Sequence, residues 1–236
     1  MVRPILLAPG VWRLPTLGRS LVNSFAFEEP DGRVTLVDAG LRGATRRLVR
    51  HLAAIEKRPD QVARIVVTHA HYDHVGDARR LRERTGGRLC IHADDATYCR
   101  SGTAPPLERP MARLLAPLGA NRIGGGPVDE TFGDNDLLDV AGGVRILHTP
   151  GHTPGHCSLL HEPSGVLITG DALFNWRMRM RYSYALFCTN VSLSRETADR
   201  LGEVDYEIAA FTHGPEIRDR ARERVRAFLL SKGAGA

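Results

Sequence analysis

Cysteine is scarce: Cys90, Cys99, Cys157 and Cys188 are scattered over 236 residues, and no CxxC pair occurs. That number and spacing exclude a disulfide framework or a zinc knuckle and point to free thiols in a reducing compartment. No apolar run approaches the roughly 20 residues of a membrane span. The opening MVRPILLAPG offers only the short ILLA run before Pro9, less than a secretory signal needs. The expectation is a cytoplasmic protein without a membrane anchor. Lysine is nearly missing: apart from Lys57 and Lys232, the 32 basic residues are arginine. The formal net charge of +5 is modest for this surface, so it suits an anionic small-molecule substrate and does not call for nucleic acid. With 42% hydrophobic and 25% charged residues the composition is that of an ordinary globular protein. The length fits one α/β domain over residues 1–236.

Hydrophobic periodicity places strands at 11–14, 20–29 and 33–40, with a turn at Pro30-Asp31-Gly32, which reads as the start of an antiparallel sheet. Residues 44–56 then carry Leu48, Leu52 and Ile55 at helical spacing. Strands at 64–68 and 89–92 alternate with a helix at 76–84 and a short helical turn at 94–100, the mark of an α/β half. Residues 101–127 are rich in proline and glycine and read as a long connector with one short helix, in which Leu114, Leu115 and Leu118 could wall a pocket. A second strand-rich block at 136–170 and an arginine-rich amphipathic helix at 215–230 complete two halves of similar order, which suggests a pseudo-twofold sandwich.

The chemistry concentrates in Thr68-His69-Ala70-His71-Tyr72-Asp73-His74, where a buried strand ends and a helix is about to begin. His69 and His71 alternate and can point the same way, while Asp73 and His74 can turn toward a neighbouring point. Two adjacent metal ions suit this arrangement better than one, and neutral imidazole and carboxylate are the ligands zinc prefers. Further donors stand after other apolar runs: His152 after VRIL, Asp171 after VLITG and His213 after IAAFT. His148 and His156 flank the His152 loop as hydrogen-bonding neighbours, His51, His92 and His161 read as ordinary structural or surface histidines, and Cys157 as a small buried thiol.

These motifs, LVDAG with Asp38, THAHYDH, PGHT with His152, GDALF with Asp171 and THG with His213, resemble in order those of the metallo-β-lactamase fold superfamily, over nearly the whole chain. The resemblance implies an α/β protein, an αββα sandwich of two mixed sheets flanked by helices. It implies two Zn²⁺ ions: one held by His69, His71 and His152, the other by Asp73, His74 and His213, with Asp171 bridging and Asp38 fixing the loop that carries His69. A metal-bridging hydroxide would then cleave a small thioester, ester or lactone, with Asp73 and His74 taking part in the chemistry. A glyoxalase II-like or lactonase-like branch is suggested, although the helical glutathione domain of the former is not expected from a chain ending soon after His213. The alternative is a persulfide dioxygenase-like enzyme with one Fe²⁺ on His69, His152 and Asp171. A phosphodiesterase, nuclease or β-lactamase of the same fold is a further one.

The stretch 176–182 alternates basic and apolar residues at strand period. It reads either as an edge strand guarded by charge or as a clamp for a carboxylate or phosphate, with Phe174, Arg177, Arg179 and Tyr182 as candidate substrate contacts. The sequence leaves the choice between monomer and homodimer open.

Overall fold

The computed structural model describes residues 2–108 and 122–233. Strands β1 (Ile5–Ala8), β2 (Val11–Leu17), β3 (Val22–Glu28) and β4 (Val34–Val37) form the expected antiparallel meander. β5 (Val62–Val67), β6 (Arg88–His92) and β7 (Glu130–Phe132) extend it in parallel to seven strands. Helices α1 (Thr45–Ala54), α2 (Ala78–Thr85) and α3 (Ala93–Ser101) follow β4, β5 and β6. A second sheet runs in the order β14 (Ile208–Ala210), β11 (Val166–Ile168), β10 (Cys157–His161), β9 (Val144–His148), β8 (Leu137–Leu138), with α4 (Val191–Ala198) and α5 (Ala221–Gly233) on its far side.

Side-chain alternation builds the layers. In β3, Phe25 and Phe27 enter the core between the sheets while Ala26 faces the helices; in β5, Val66 faces the other sheet and Ile65 and Val67 face α1 and α2. The second sheet mirrors this: Ile146, Leu159, Val166 and Ile168 meet the first sheet, while Leu147, Leu160 and Leu167 pack with Leu201, Val225 and Leu229. A strand buried on both faces needs apolar residues at both parities, which is why these segments read as near-continuous apolar runs. The result is a helix, sheet, sheet, helix sandwich, and no described helix is long and apolar enough to cross a membrane.

Two expectations change, and a third falls outside the described residues. The helical turn at 94–100 is a nine-residue helix, α3: His92 Nδ1 caps it by accepting from the Asp94 N–H at 3.2 Å, and Gly102, at φ 69°, ends it. Only Asp95, Ala96 and Cys99 of that helix are buried, so its apolar pattern is faint. The single strand at 176–182 is a hairpin, β12 (Leu173–Trp176) and β13 (Arg179–Tyr182), turning at Arg177 and Met178, both at positive φ (51° and 64°). Of the connector, residues 109–121 lie outside the described residues, and with them the expected short helix and Leu114, Leu115 and Leu118.

The two sheets are pinned at one edge. Cys157 N–H donates to Thr68 O at 2.9 Å, just past β5, and Asn23 N–H donates to Thr212 O at 2.8 Å, just past β14. The ends of β4, β5, β9, β11 and β14 converge there, and every motif histidine and aspartate stands on a turn leaving one of them.

Candidate metal centre

Six side chains meet at this edge around the carboxylate of a seventh, Asp171. Asp171 Oδ2 lies 3.8 Å from His69 Nε2 and 3.3 Å from His152 Nε2, while its Oδ1 lies 3.4 Å from His74 Nε2 and 3.3 Å from His213 Nε2. His71 Nδ1 approaches His152 Nε2 at 2.8 Å, completing the first group. Asp73 completes the second, 3.7 Å from His74 Nε2 and 3.3 Å from His213 Nε2. The sets His69, His71, His152 and Asp73, His74, His213 each offer ligand atoms within 4.8 Å of one another.

The outer nitrogens are already engaged. His74 Nδ1–H donates to Asp38 Oδ2 at 2.8 Å, His69 Nδ1 meets Thr68 Oγ1 at 3.1 Å, His152 Nδ1 meets Ser183 Oγ at 2.6 Å, and His213 Nδ1–H donates to Leu21 O at 2.6 Å. A proton fixed on Nδ1 leaves the Nε2 lone pair aimed inward, as metal-ligating histidines require. Asp38 also accepts from the Thr68 backbone N–H at 2.8 Å and sits at φ 61°, an uncommon backbone held by its neighbours.

The donors fit divalent ions. His69 Nε2 and His74 Nε2 are fully buried without a hydrogen-bond partner, a costly arrangement unless a cation sits between them and Asp171. Imidazole nitrogens and carboxylate oxygens without thiolate form a hard-to-borderline set suited to zinc or iron. Another group, His92, Asp94 and His148, also clusters. Its rings stack at 4.0 Å and 17°, so their in-plane lone pairs do not converge, and His148 Nε2–H already donates to Pro154 O at 2.9 Å.

Charge in the metal-free chain is divided. Burial, and then neighbouring imidazoles, push His69 and His71 well below the usual histidine range. Burial acts the same way on His152 and His213, but their partners override it: the Asp171 carboxylate and the Cys188 sulfur raise His152 to about 9, and Asp171 with Asp73 raises His213 to about 10. Burial would raise Asp73, yet His74 and His213 hold it at about 2. Asp171, Asp73 and Asp38 likewise hold His74 well above the usual histidine range against burial, and only neutral imidazole ligates, so an entering ion must displace protons on His74, His152 and His213. Metal affinity therefore rises with pH up to about 9 to 10, and calorimetry in buffers of different ionisation enthalpy records proton release at pH 7. A pH-independent affinity would contradict this charge assignment.

One functional residue has no precedent in the motifs. Asp95, in the first turn of α3, is fully buried and uses both carboxylate oxygens. Oδ2 accepts from the Ala70 N–H at 2.8 Å and the Thr153 hydroxyl at 2.6 Å, and Oδ1 accepts from the Gly155 N–H at 2.7 Å. Ala70 lies between His69 and His71, and Thr153 follows His152, so one side chain staples both loops. A Cβ on Gly155 would come within 2.6 Å of Asp95 N, so only glycine allows this approach. His156 acts similarly: its Nε2 accepts from the Asp171 N–H at 2.7 Å, and burial, then His152, keeps it unprotonated down to about 3.

Of the expected substrate contacts, Phe174 lies at the centre, its ring 4.7 Å from that of His213 and 5.7 Å from that of Tyr184. Tyr182 does not. It is on the opposite face of the hairpin, 5.1 Å from the Phe228 ring and beneath Arg195, because the residues at its parity pack toward α5. Arg177 occupies the turn, and Arg179 is exposed on the strand beyond it.

Comparison with known proteins agrees with this geometry. The sequence model of the Metallo-beta-lactamase superfamily matches residues 17–213. The uncharacterized protein YobT of Bacillus subtilis (strain 168) is 27% identical over 223 residues, 89% of this chain and 91% of its own. A hydroxyacylglutathione hydrolase of Ectopseudomonas mendocina is 33% identical over 125 residues, 52% of this chain but 38% of that enzyme, so the match spans well under half of its length. A metallo-beta-lactamase family protein from Thermus thermophilus superposes with a TM-score of 0.74 at 25% identity, covering 97% of this chain and 81% of that one. Fold, motif order and sequence match together place the chain in the metallo-β-lactamase superfamily, as one of its metal-dependent hydrolases.

Proposed function

We propose that the chain is a dinuclear zinc hydrolase of small carboxylic thioesters, esters or lactones. The observation that carries this reading is the division of Asp171, one oxygen toward His69 and His152 and the other toward His74 and His213. His69, His71 and His152 would hold one ion, Asp73, His74 and His213 the other, with Asp171 shared. Ions bound there supply Lewis acidity to the acyl oxygen and lower the pKa of a water toward 7. The hydroxyacylglutathione hydrolases among the relatives favour a thioester within this class. The complete Asp73, His74, His213 set favours two ions over the single iron of a dioxygenase. In the same reading residues 1–236 form one domain of a cytoplasmic enzyme whose partner is a small anionic molecule.

The side chains then divide the work. Asp38, Thr68, Ser183 and the Leu21 carbonyl keep the imidazoles aimed inward. Asp73, with its side chain 14% exposed, would orient the attacking water and take part in its proton transfer as well as hold metal. The test is Asp73→Ala assayed on thioesters alongside metal content. Activity should fall by about a hundredfold more than metal content does, since positioned acid–base groups contribute 10²–10⁴. A strictly proportional loss would reduce Asp73 to a ligand, and a wild-type chain inert toward thioesters, esters and lactones would remove the hydrolase reading.

A further inference from the structure

We propose that Arg181, with Arg179 beside it, forms a subsite that binds a carboxylate or similar anionic group of the substrate at the mouth of the metal centre. The inference rests on the hydrolase reading and specifies which substrates that site takes. In the hairpin, Phe174 is paired with Arg181 and Trp176 with Arg179. Cross-strand partners share a face, with Cβ atoms about 5 Å apart. The other face is settled by packing, because Leu173, Met180 and Tyr182 join the cluster against α5. Arg179 and Arg181 therefore stand on the face where Phe174 touches His213 and Tyr184.

The side chains of Arg179 and Arg181 are exposed and have no ion pair or hydrogen bond among the described residues, which leaves both guanidinium groups available to an anion. The hairpin that presents them turns through two consecutive non-glycine residues at positive φ, Arg177 and Met178, without the Asn-Gly or Asp-Gly that relieves such a turn. Strain of this kind persists where surrounding structure fixes a functional segment. A guanidinium offers a planar fork matched to a carboxylate, and its approach beside an apolar Phe174 wall lowers the competition from water.

Two matched ligand pairs test the subsite. The substrates are S-acetyl-3-mercaptopropionate and its primary carboxamide; the non-hydrolysable ligands are N-acetyl-β-alanine and its carboxamide, followed by calorimetry on the metal-loaded chain. Wild type should prefer the carboxylate in both pairs. Arg181→Gln should raise KM for the carboxylate thioester about tenfold with little change in kcat, weaken N-acetyl-β-alanine equally, and leave both amides unaffected. Arg181→Lys should recover part of the loss. Equal behaviour of carboxylate and amide in wild type, or an Arg181→Gln change shared by both, overturns the subsite and leaves the arginines as edge-guarding charge. If neither thioester is hydrolysed but the carboxylate ligand is still preferred and lost in Arg181→Gln, the hydrolase reading fails while the subsite stands.

Discussion

Replacing Asp171 with alanine should lower kcat/KM by roughly a thousandfold or more, since a metal clamp supplies several kcal/mol to the transition state and each 1.36 kcal/mol is tenfold. Among the described residues Asp171 is the one carboxylate within 4 Å of His69, His74, His152 and His213 together, so its loss uncouples the two halves of the centre. Bound metal should fall toward one ion per chain or fewer. A second readout follows from the charges. His152 and His213 owe much of their raised pKa values to Asp171, so in the metal-free variant both should titrate nearer the ordinary histidine range, visible by NMR. Asp171→Asn preserves shape and the hydrogen bond from the Thr212 hydroxyl at 2.7 Å, so it separates charge from packing. A variant that keeps full activity and two ions would refute the shared carboxylate.

The next largest effect is expected at Asp95. Asp95→Ala leaves the Ala70 and Gly155 N–H groups and the Thr153 hydroxyl without their acceptor. Each unpaired buried donor costs about 1–3 kcal/mol, so a loss of about 4 kcal/mol and a fall in Tm of roughly 10 °C are expected by thermal unfolding. Asp95→Asn keeps the volume and one acceptor, and should fold while binding zinc about 10–100-fold more weakly, the usual effect of residues that orient ligands from behind. Raised metal supply should then restore much of the asparagine variant's activity. A stability loss with unchanged zinc affinity in both variants would mean that Asp95 merely holds the loops together and does not set their geometry.

The layers and the metal-binding loops were legible because each rests on short-range regularity. Strands buried on both faces spell apolar runs such as RIVV and VLI, and seven donors appear on turns directly after such runs. Asp95 escapes a sequence reading because its partners, two backbone N–H groups and the Thr153 hydroxyl, lie 25, 60 and 58 residues away, and backbone groups have no letter in a sequence. One signal was present: like Asp38 after β4 and Asp171 after β11, it is a carboxylate just beyond a buried strand. Ser183 and Cys188, behind His152, are reached only through the hairpin and carry no pattern of their own. The hairpin spells a single strand because Arg177 and Met178 keep the basic and apolar alternation while turning the chain. A turn inside the segment also reassigns which parity faces the centre, which puts Tyr182 on the face toward α5.

The most direct measurement is metal identity and stoichiometry on the chain purified without added metal. A dinuclear hydrolytic centre on His69, His71, Asp73, His74, His152, Asp171 and His213 should give a colourless protein with close to two zinc per chain, and hydrolysis lost to chelation should return with zinc. One iron per chain with little zinc, and oxygen consumption with a persulfide, would contradict it.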